Sequence, residues 1–204
     1  MDKKIYDDLL NNDIKSYCID EEGSELKIDL KNSLILSGSF NPLHKGHINL
    51  LKVSMNEYQF KPIYEISISN VDKSKIEFKD LLIRINQFKS LGKLVITNSA
   101  NFREKSFIFK KSIFVIGYDT ALRLIEKKYY KNDIEMAFKD IKKNGCYFLV
   151  AGRFINNKYN NASTIDFNEF KKFFYILTEE KFRLDISSSQ LRSQFSSEND
   201  KSAA

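Results

Sequence analysis

From residue 33 onward the chain alternates short apolar runs with stretches of helical spacing, and no other feature constrains its fold as strongly. Leu34-Ile35-Leu36, residues 63–68, Leu94-Val95-Ile96, residues 113–116 and residues 146–150 read as strands. Between them, residues 46–58, 79–90, 119–128 and 133–143 read as helices, the first through Ile48, Leu51 and Met55. Strands that are apolar at successive positions have both faces covered. The repeat of strand and helix therefore predicts an α/β fold with a doubly wound, mostly parallel sheet of five or six strands, in a single domain. Ahead of it, residues 1–14 read as an amphipathic helix through Ile5, Leu9 and Leu10, and the alternation of Leu26, Ile28 and Leu30 predicts a short strand. This divides the chain into an N-terminal helix and short extension (1–32), the α/β domain (33–195) and a flexible Ser/Ala/Lys tail (196–204).

Composition removes several classes. A chain of 204 residues builds one core without staples, and 7 Gly with 2 Pro exclude collagen-like and linker-like readings. Two Cys and no CxxC exclude a disulfide scaffold and a zinc ribbon. No apolar run approaches the roughly 20 residues of a membrane helix. The N-terminal stretch Met1-Asp2-Lys3-Lys4 is charged and does not read as a secretory signal, so a cytoplasmic location without membrane contact is expected. The net charge of +6 favours an anionic partner, but the charges are dispersed. A nucleic-acid binder would cluster them, so a small phosphorylated ligand fits better than nucleic acid. A homo-oligomer is compatible with the sequence.

In sheets of this kind ligands bind beyond the carboxyl ends of the strands. The segment Gly38-Ser39-Phe40-Asn41-Pro42-Leu43-His44-Lys45-Gly46-His47 leaves the first core strand and opens a helix. It holds both histidines of the chain, His44 and His47. Gly38, Ser39 and Phe40 offer backbone N–H groups to a phosphate, and the helix start near Gly46 adds its positive end. Imidazoles three residues apart can meet one oxyanion. The competing readings are a capping or packing pair, and a zinc site. Zinc needs at least three protein ligands and no further His exists, so no metal site is expected.

This segment resembles the GxFxPxHxGH signature of the nucleotidylyltransferase superfamily. Ile186-Ser187-Ser188-Ser189-Gln190-Leu191-Arg192 resembles its ISSTxxR motif, with Ser in place of Thr. Residues 117–124 and 145–153 resemble stretches of cytidylyltransferase-like and nicotinamide-nucleotide adenylyltransferase-like proteins. The likeness runs over about residues 33–193 and implies a Rossmann-like fold. It implies transfer of AMP (or CMP) from ATP (or CTP) to a phosphorylated acceptor with release of pyrophosphate, Mg²⁺ bridging the phosphates. His44, His47 and Arg192 would be catalytic, with Gly38, Ser39, Phe40, Gly46, Ser188, Ser189 and Asp119 holding the nucleotide. Arg153 would hold the acceptor's phosphate, and Thr97 and Asn98 could line its pocket. The acceptor implied is nicotinamide or nicotinic acid mononucleotide, in NAD biosynthesis. The alternatives are a cytidylyltransferase or phosphopantetheine adenylyltransferase type, or a non-catalytic nucleotide-binding regulatory protein. Taken apart from the likeness, Asp119 suits a helix N-cap, Arg153 a solvated loop, Thr97 and Asn98 a turn, and the serines an N-cap.

Overall fold

The computed structural model describes residues 1–71, 74–130, 133–155 and 158–183. Along the chain lie α1 (Lys3–Asn11), β1 (Ser16–Ile19), β2 (Ser33–Ser37), α2 (Lys45–Glu57), β3 (Lys61–Ser67), α3 (Phe78–Asn86) and β4 (Leu94–Thr97). They are followed by α4 (Phe102–Ile108), β5 (Ile113–Gly117), α5 (Tyr118–Leu124), α6 (Ile134–Lys143), β6 (Tyr147–Ala151), β7 (Arg153–Ile155), β8 (Lys158–Asn160) and β9 (Phe174–Leu177). Short 3₁₀ helices occupy Lys127–Tyr130, Ala162–Thr164 and Asn168–Phe173.

Seven strands form one sheet in the order β1-β4-β3-β2-β5-β6-β9, parallel throughout except for β1 against β4. The two extra strands lie at its edges, so the expected five or six becomes seven. A separate antiparallel pair, β7 and β8, stands after β6. The strand predicted from Leu26, Ile28 and Leu30 does not form. That stretch makes a single bridge, Ile19 to Glu25, and its three apolar side chains pack onto the core from irregular backbone. Alternating burial of this kind is produced by any extended segment laid on a core, whether or not it finds a ladder partner.

The sheet sorts its side chains onto two faces. Leu34, Leu36, Tyr64, Ile66, Leu94 and Ile96 point to the face covered by α1, α2 and α3. Ile35, Ile63, Val95, Phe114, Ile116, Phe148 and Val150 point to the other, under α4, α5 and α6. The aromatics concentrate on this second face, where Phe138 stacks on Phe170 at 4.2 Å and Phe148 on Phe174 at 5.2 Å. Helix starts follow their side chains: Asp2 accepts the Ile5 N–H at 2.9 Å, Asn101 that of Glu104 at 3.0 Å and Asp133 that of Met136 at 3.0 Å.

One consequence of this order positions the site. The chain leaves β2 toward β3 and β4 on one side, then returns to place β5 on the other side of β2. The carboxyl ends of β2 and β5 therefore flank the switch point of the sheet, where a crevice opens because the two following loops diverge. Among the described residues no helix is long and apolar enough to cross a membrane.

Candidate active site

The loop after β2 is built around Phe40. Its ring is buried, edge-on to Tyr64 at 5.8 Å, to Phe88 at 5.1 Å and to His47 at 4.9 Å. Its backbone is left-handed, with φ of 42°. A Cβ on Gly38 would stand 2.9 Å from that ring, so the packing of Phe40 by itself requires a glycine here. The Gly38 N–H is likewise committed, donating to the Glu65 carbonyl at 3.0 Å. The N–H groups of Ser39 and Phe40 have no partner among the described residues, and they remain as anion donors. Gly46 is buried in the first turn of α2.

His44 is the N-cap of α2 in extended backbone, and His47 lies one turn in. The two rings stack at 3.8 Å with 27° between planes. His47 Nδ1 accepts the His44 backbone N–H at 3.3 Å, which puts the ring proton on Nε2. The His44 ring lies over the start of the helix in the manner of a capping box without closing the bond, and its buried Nδ1 has no partner among the described residues. Burial holds the His47 imidazole down at about 3, and the neighbouring His44 adds to this; burial also lowers His44. Both rings are therefore neutral at pH 7 and act as hydrogen-bond donors or acceptors, not as fixed cations. The two histidines are thus a packing pair and a helix cap, and neither role excludes ligand contact.

With only two histidines in the chain, proton NMR resolves the pair without assignment difficulty. The expected spectrum shows both rings neutral at pH 7, with one still untitrated at pH 5. The sign follows from burial: the folded value lies below the unfolded value near 6.5. The pair's contribution to stability is thus complete above pH 6.5 and lost as pH falls toward 3. Saturating pyrophosphate should move both titrations upward, because an adjacent anion favours the imidazolium. Titration of both rings near 6.5 in the free protein would refute this.

The other predicted residues are placed as follows. Asp119 does not cap α5: Gly117 holds that position, and Asp119 in the first turn pairs with Arg153 at the start of β7. Arg153 is therefore not a solvated loop arginine, and both members of the pair are about one-third exposed. Thr97 is fully buried and donates to Glu65 Oε1 at 2.6 Å, so its hydroxyl is used inside the sheet and does not line a pocket. Asn98 shares a hydrogen bond with Ser69 at 2.5 Å and donates to the Leu10 carbonyl at 3.2 Å. It fastens α1 to the sheet. Ser188, Ser189 and Arg192 lie outside the described residues.

A cavity of about 560 Å³ opens beside this loop at the carboxyl ends of β2 and β3, with α3 on one side and α4 and α5 on the other. Ser37, Gly38 and Ser39 line it after β2, and Ser67 after β3. Arg84 enters from α3, Phe102 and Lys105 from α4, Thr120 and Arg123 from α5, with Lys75, Tyr129 and Tyr130 closing it. Among the described residues its charged lining is cationic apart from Asp80. The Ser37 hydroxyl is buried there without a partner among the described residues. Below it Lys105 meets Glu65 Oε2 at 2.6 Å, both nearly or wholly buried. Gly38, Ser39 and Asn41 belong to the segment after β2 and Thr120, Arg123 and Leu124 to the stretch 117–124, whereas the other residues lining this cavity are not singled out by sequence patterns. The pattern Asn101…Glu104, in which each end hydrogen-bonds the other, is the available signal for α4. His44, His47, Asp119 and Arg153 do not line this cavity; Gly38 and Ser39 do.

A Rossmann-like sheet with a phosphate-type loop and a helix start at its switch point defines a class of nucleotide-binding architecture. Residues 35–194 match the cytidylyltransferase-like family, and the chain belongs to that family. It is 24% identical over 119 residues to a protein of Schizosaccharomyces pombe provisionally assigned as a nicotinamide mononucleotide adenylyltransferase, covering 52% of this chain and 47% of that one. It is 42% identical over 59 residues to the phosphopantetheine adenylyltransferase of Mycoplasma capricolum, covering 29% and 39%. It is 27% identical over 124 residues to a protein of Thermosipho melanesiensis provisionally assigned as a nicotinate-nucleotide adenylyltransferase, covering 52% and 61%. The matches span between 39% and 61% of the length of these relatives.

Proposed function

We propose that the protein transfers AMP from ATP to a phosphorylated acceptor and releases pyrophosphate. The observation that carries this reading is the loop after β2, where the unpartnered Ser39 and Phe40 N–H groups adjoin two neutral imidazoles at the start of α2. Neutral rings donate Nε2–H to phosphate oxygens without holding product through a fixed charge. The step is in-line attack of an acceptor oxygen on the α-phosphorus with departure of pyrophosphate, and it needs positioning and charge stabilisation rather than a protein nucleophile. By family likeness Ser188, Ser189 and Arg192 would hold the departing phosphates. Among the described residues no group of three His, Cys, Asp or Glu side chains stands ready for a metal. By family likeness Mg²⁺ would be carried by the triphosphate oxygens and water, where it would neutralise phosphate charge.

The acceptor would occupy the cavity beside the loop, whose lining joins Lys75, Arg84 and Arg123 to Phe102, Tyr129 and Tyr130. Cations with aromatic faces suit an acceptor that has both a phosphate and a flat ring, so nicotinamide or nicotinic acid mononucleotide leads. The Arg153 guanidinium pairs with Asp119 through Nη1, and its other N–H groups would be the ones to meet such a phosphate. Pyrophosphate release from ATP or CTP with Mg²⁺ is measured against both mononucleotides, phosphopantetheine, phosphocholine and glycerol phosphate. Release with ATP and one mononucleotide is expected. Silence across the panel, with ATP still bound, would replace this reading by that of a nucleotide-binding regulatory protein.

A further inference from the structure

We propose that Gln87, at the carboxyl end of α3, is a positioning residue that sets the peptide orientations of the phosphate-binding loop. The inference rests on the reading of that loop as the phosphate site. Gln87 spans the loop's turn with both ends of its amide. Its Nε2 donates to the Phe40 carbonyl at 2.9 Å and its Oε1 accepts the Leu43 N–H at 2.8 Å. The two bonds fix the amide's sense, since neither atom could do the other's work. One turn earlier on the same helix, Arg84 Nη1 donates to the Ser39 carbonyl at 3.1 Å.

These contacts act on the site through the planarity of the peptide. In a trans peptide the C=O and the following N–H point in opposite directions. Fixing the Ser39 carbonyl on Arg84 fixes the direction of the Phe40 N–H. Fixing the Phe40 carbonyl on Gln87 fixes that of the next N–H. The carbonyls of Ser39 and Phe40 are thus drawn onto α3, and the Phe40 N–H is left for an anion. A free peptide could turn over and present a carbonyl oxygen to a phosphate, which repels where the N–H attracts. Gln87 is itself held: it caps α3, and the adjacent Phe88 is buried edge-on to Phe40 at 5.1 Å. The clamp therefore locates the loop relative to the core. Nothing about a plain helix-to-loop contact requires the Phe40 carbonyl and the Leu43 N–H to share one side chain.

The test uses the full chain with Gln87→Met, which keeps the shape, and Gln87→Glu, which keeps the acceptor for Leu43 but offers Phe40 a donor only when protonated. ATP and inorganic pyrophosphate binding are measured by calorimetry, with melting temperatures alongside. Gln87→Met should bind both at least 10-fold more weakly, and lower turnover about 10²-fold, the scale of a misplaced catalytic contact, while melting within a few degrees of the parent. Gln87→Glu should be as weak at pH 7.5 and regain affinity relative to the parent toward pH 5, as its carboxyl takes up the proton it would donate. Parental affinity in both variants overturns the proposal. So does a loss in Gln87→Met that follows its melting temperature, with no recovery at low pH in Gln87→Glu. If the parent binds neither ATP nor pyrophosphate, the functional reading fails instead. The clamp is then judged by amide exchange at Leu43 and by the two histidine resonances, which Gln87→Met must shift for it to stand.

Discussion

If the proposed reaction holds, replacing His47 with alanine should lower the rate of pyrophosphate release about 10²–10³-fold, the effect of removing one transition-state hydrogen-bond donor. The size rests on the desolvation of the ring. Burial drives His47 down to about 3, so its Nε2–H works as a neutral donor in a site where water competes little. The loss should fall mainly on kcat, because the charge the ring meets grows as the pyrophosphate leaves. The ring also packs on Phe40 and stacks on His44, so the variant loses some stability. His47→Phe separates the two effects: it keeps an aromatic ring against Phe40 and removes both nitrogens. The melting temperature should be restored more than the rate. Parental turnover in His47→Ala, or equal recovery of rate and stability in His47→Phe, would remove His47 from the chemistry.

The loop that carries His47 is legible in the sequence because a strand, a turn and a helix start are compressed into one short segment. A strand, a Gly-containing turn and a helix start follow one another from Leu34 to His47, and both histidines of the chain fall there. The central strands are legible because they are apolar at successive positions. The edges are not: β1 holds only Ser16–Ile19 and β9 only Phe174–Leu177, and neither length nor pattern separates such segments from packed loops. Leu26, Ile28 and Leu30 show the converse error, a strand pattern without a partner. Gly38 stands out in the sequence as a glycine that lets a phosphate approach, whereas in the structure its missing side chain makes room for Phe40. Thr97 and Asn98 sit at the carboxyl edge of the sheet, yet their bonds turn inward, to Glu65 and to α1. Position along a strand predicts the edge on which a residue lies, and not which way its hydrogen bonds run. The clamp of Gln87 on Phe40 and Leu43 joins residues 44 to 47 apart, and no local pattern announces it.

The largest effect on stability is expected from Lys105→Met. Glu65 is fully buried in β3, accepting from Lys105 Nζ at 2.6 Å and from Thr97 Oγ1 at 2.6 Å. Removing the lysine charge leaves a carboxylate in the sheet with one neutral donor. Breaking a buried pair on one side costs about 3–5 kcal/mol, because the remaining charge stays desolvated. At roughly 2–4 °C per kcal/mol for a chain of this size, the melting temperature should fall by roughly 6–20 °C. Removing both charges is a different experiment. In Glu65→Leu combined with Lys105→Met no charge is left buried, and most of the loss should return, apart from the Thr97 hydroxyl that no longer has Glu65 to donate to. The double-mutant cycle therefore reads the cost of an orphaned charge rather than the worth of the pair. A single-variant loss below about 1 kcal/mol would mean that water reaches Glu65 through the cavity above it. The restored double variant also separates structure from recognition. Lys105 lines the cavity while its charge is answered by Glu65 beneath it. If the lysine serves to hold α4 against the sheet, the double variant binds acceptor as the parent does. If its remaining N–H groups meet the acceptor, affinity stays low even where the melting temperature has recovered.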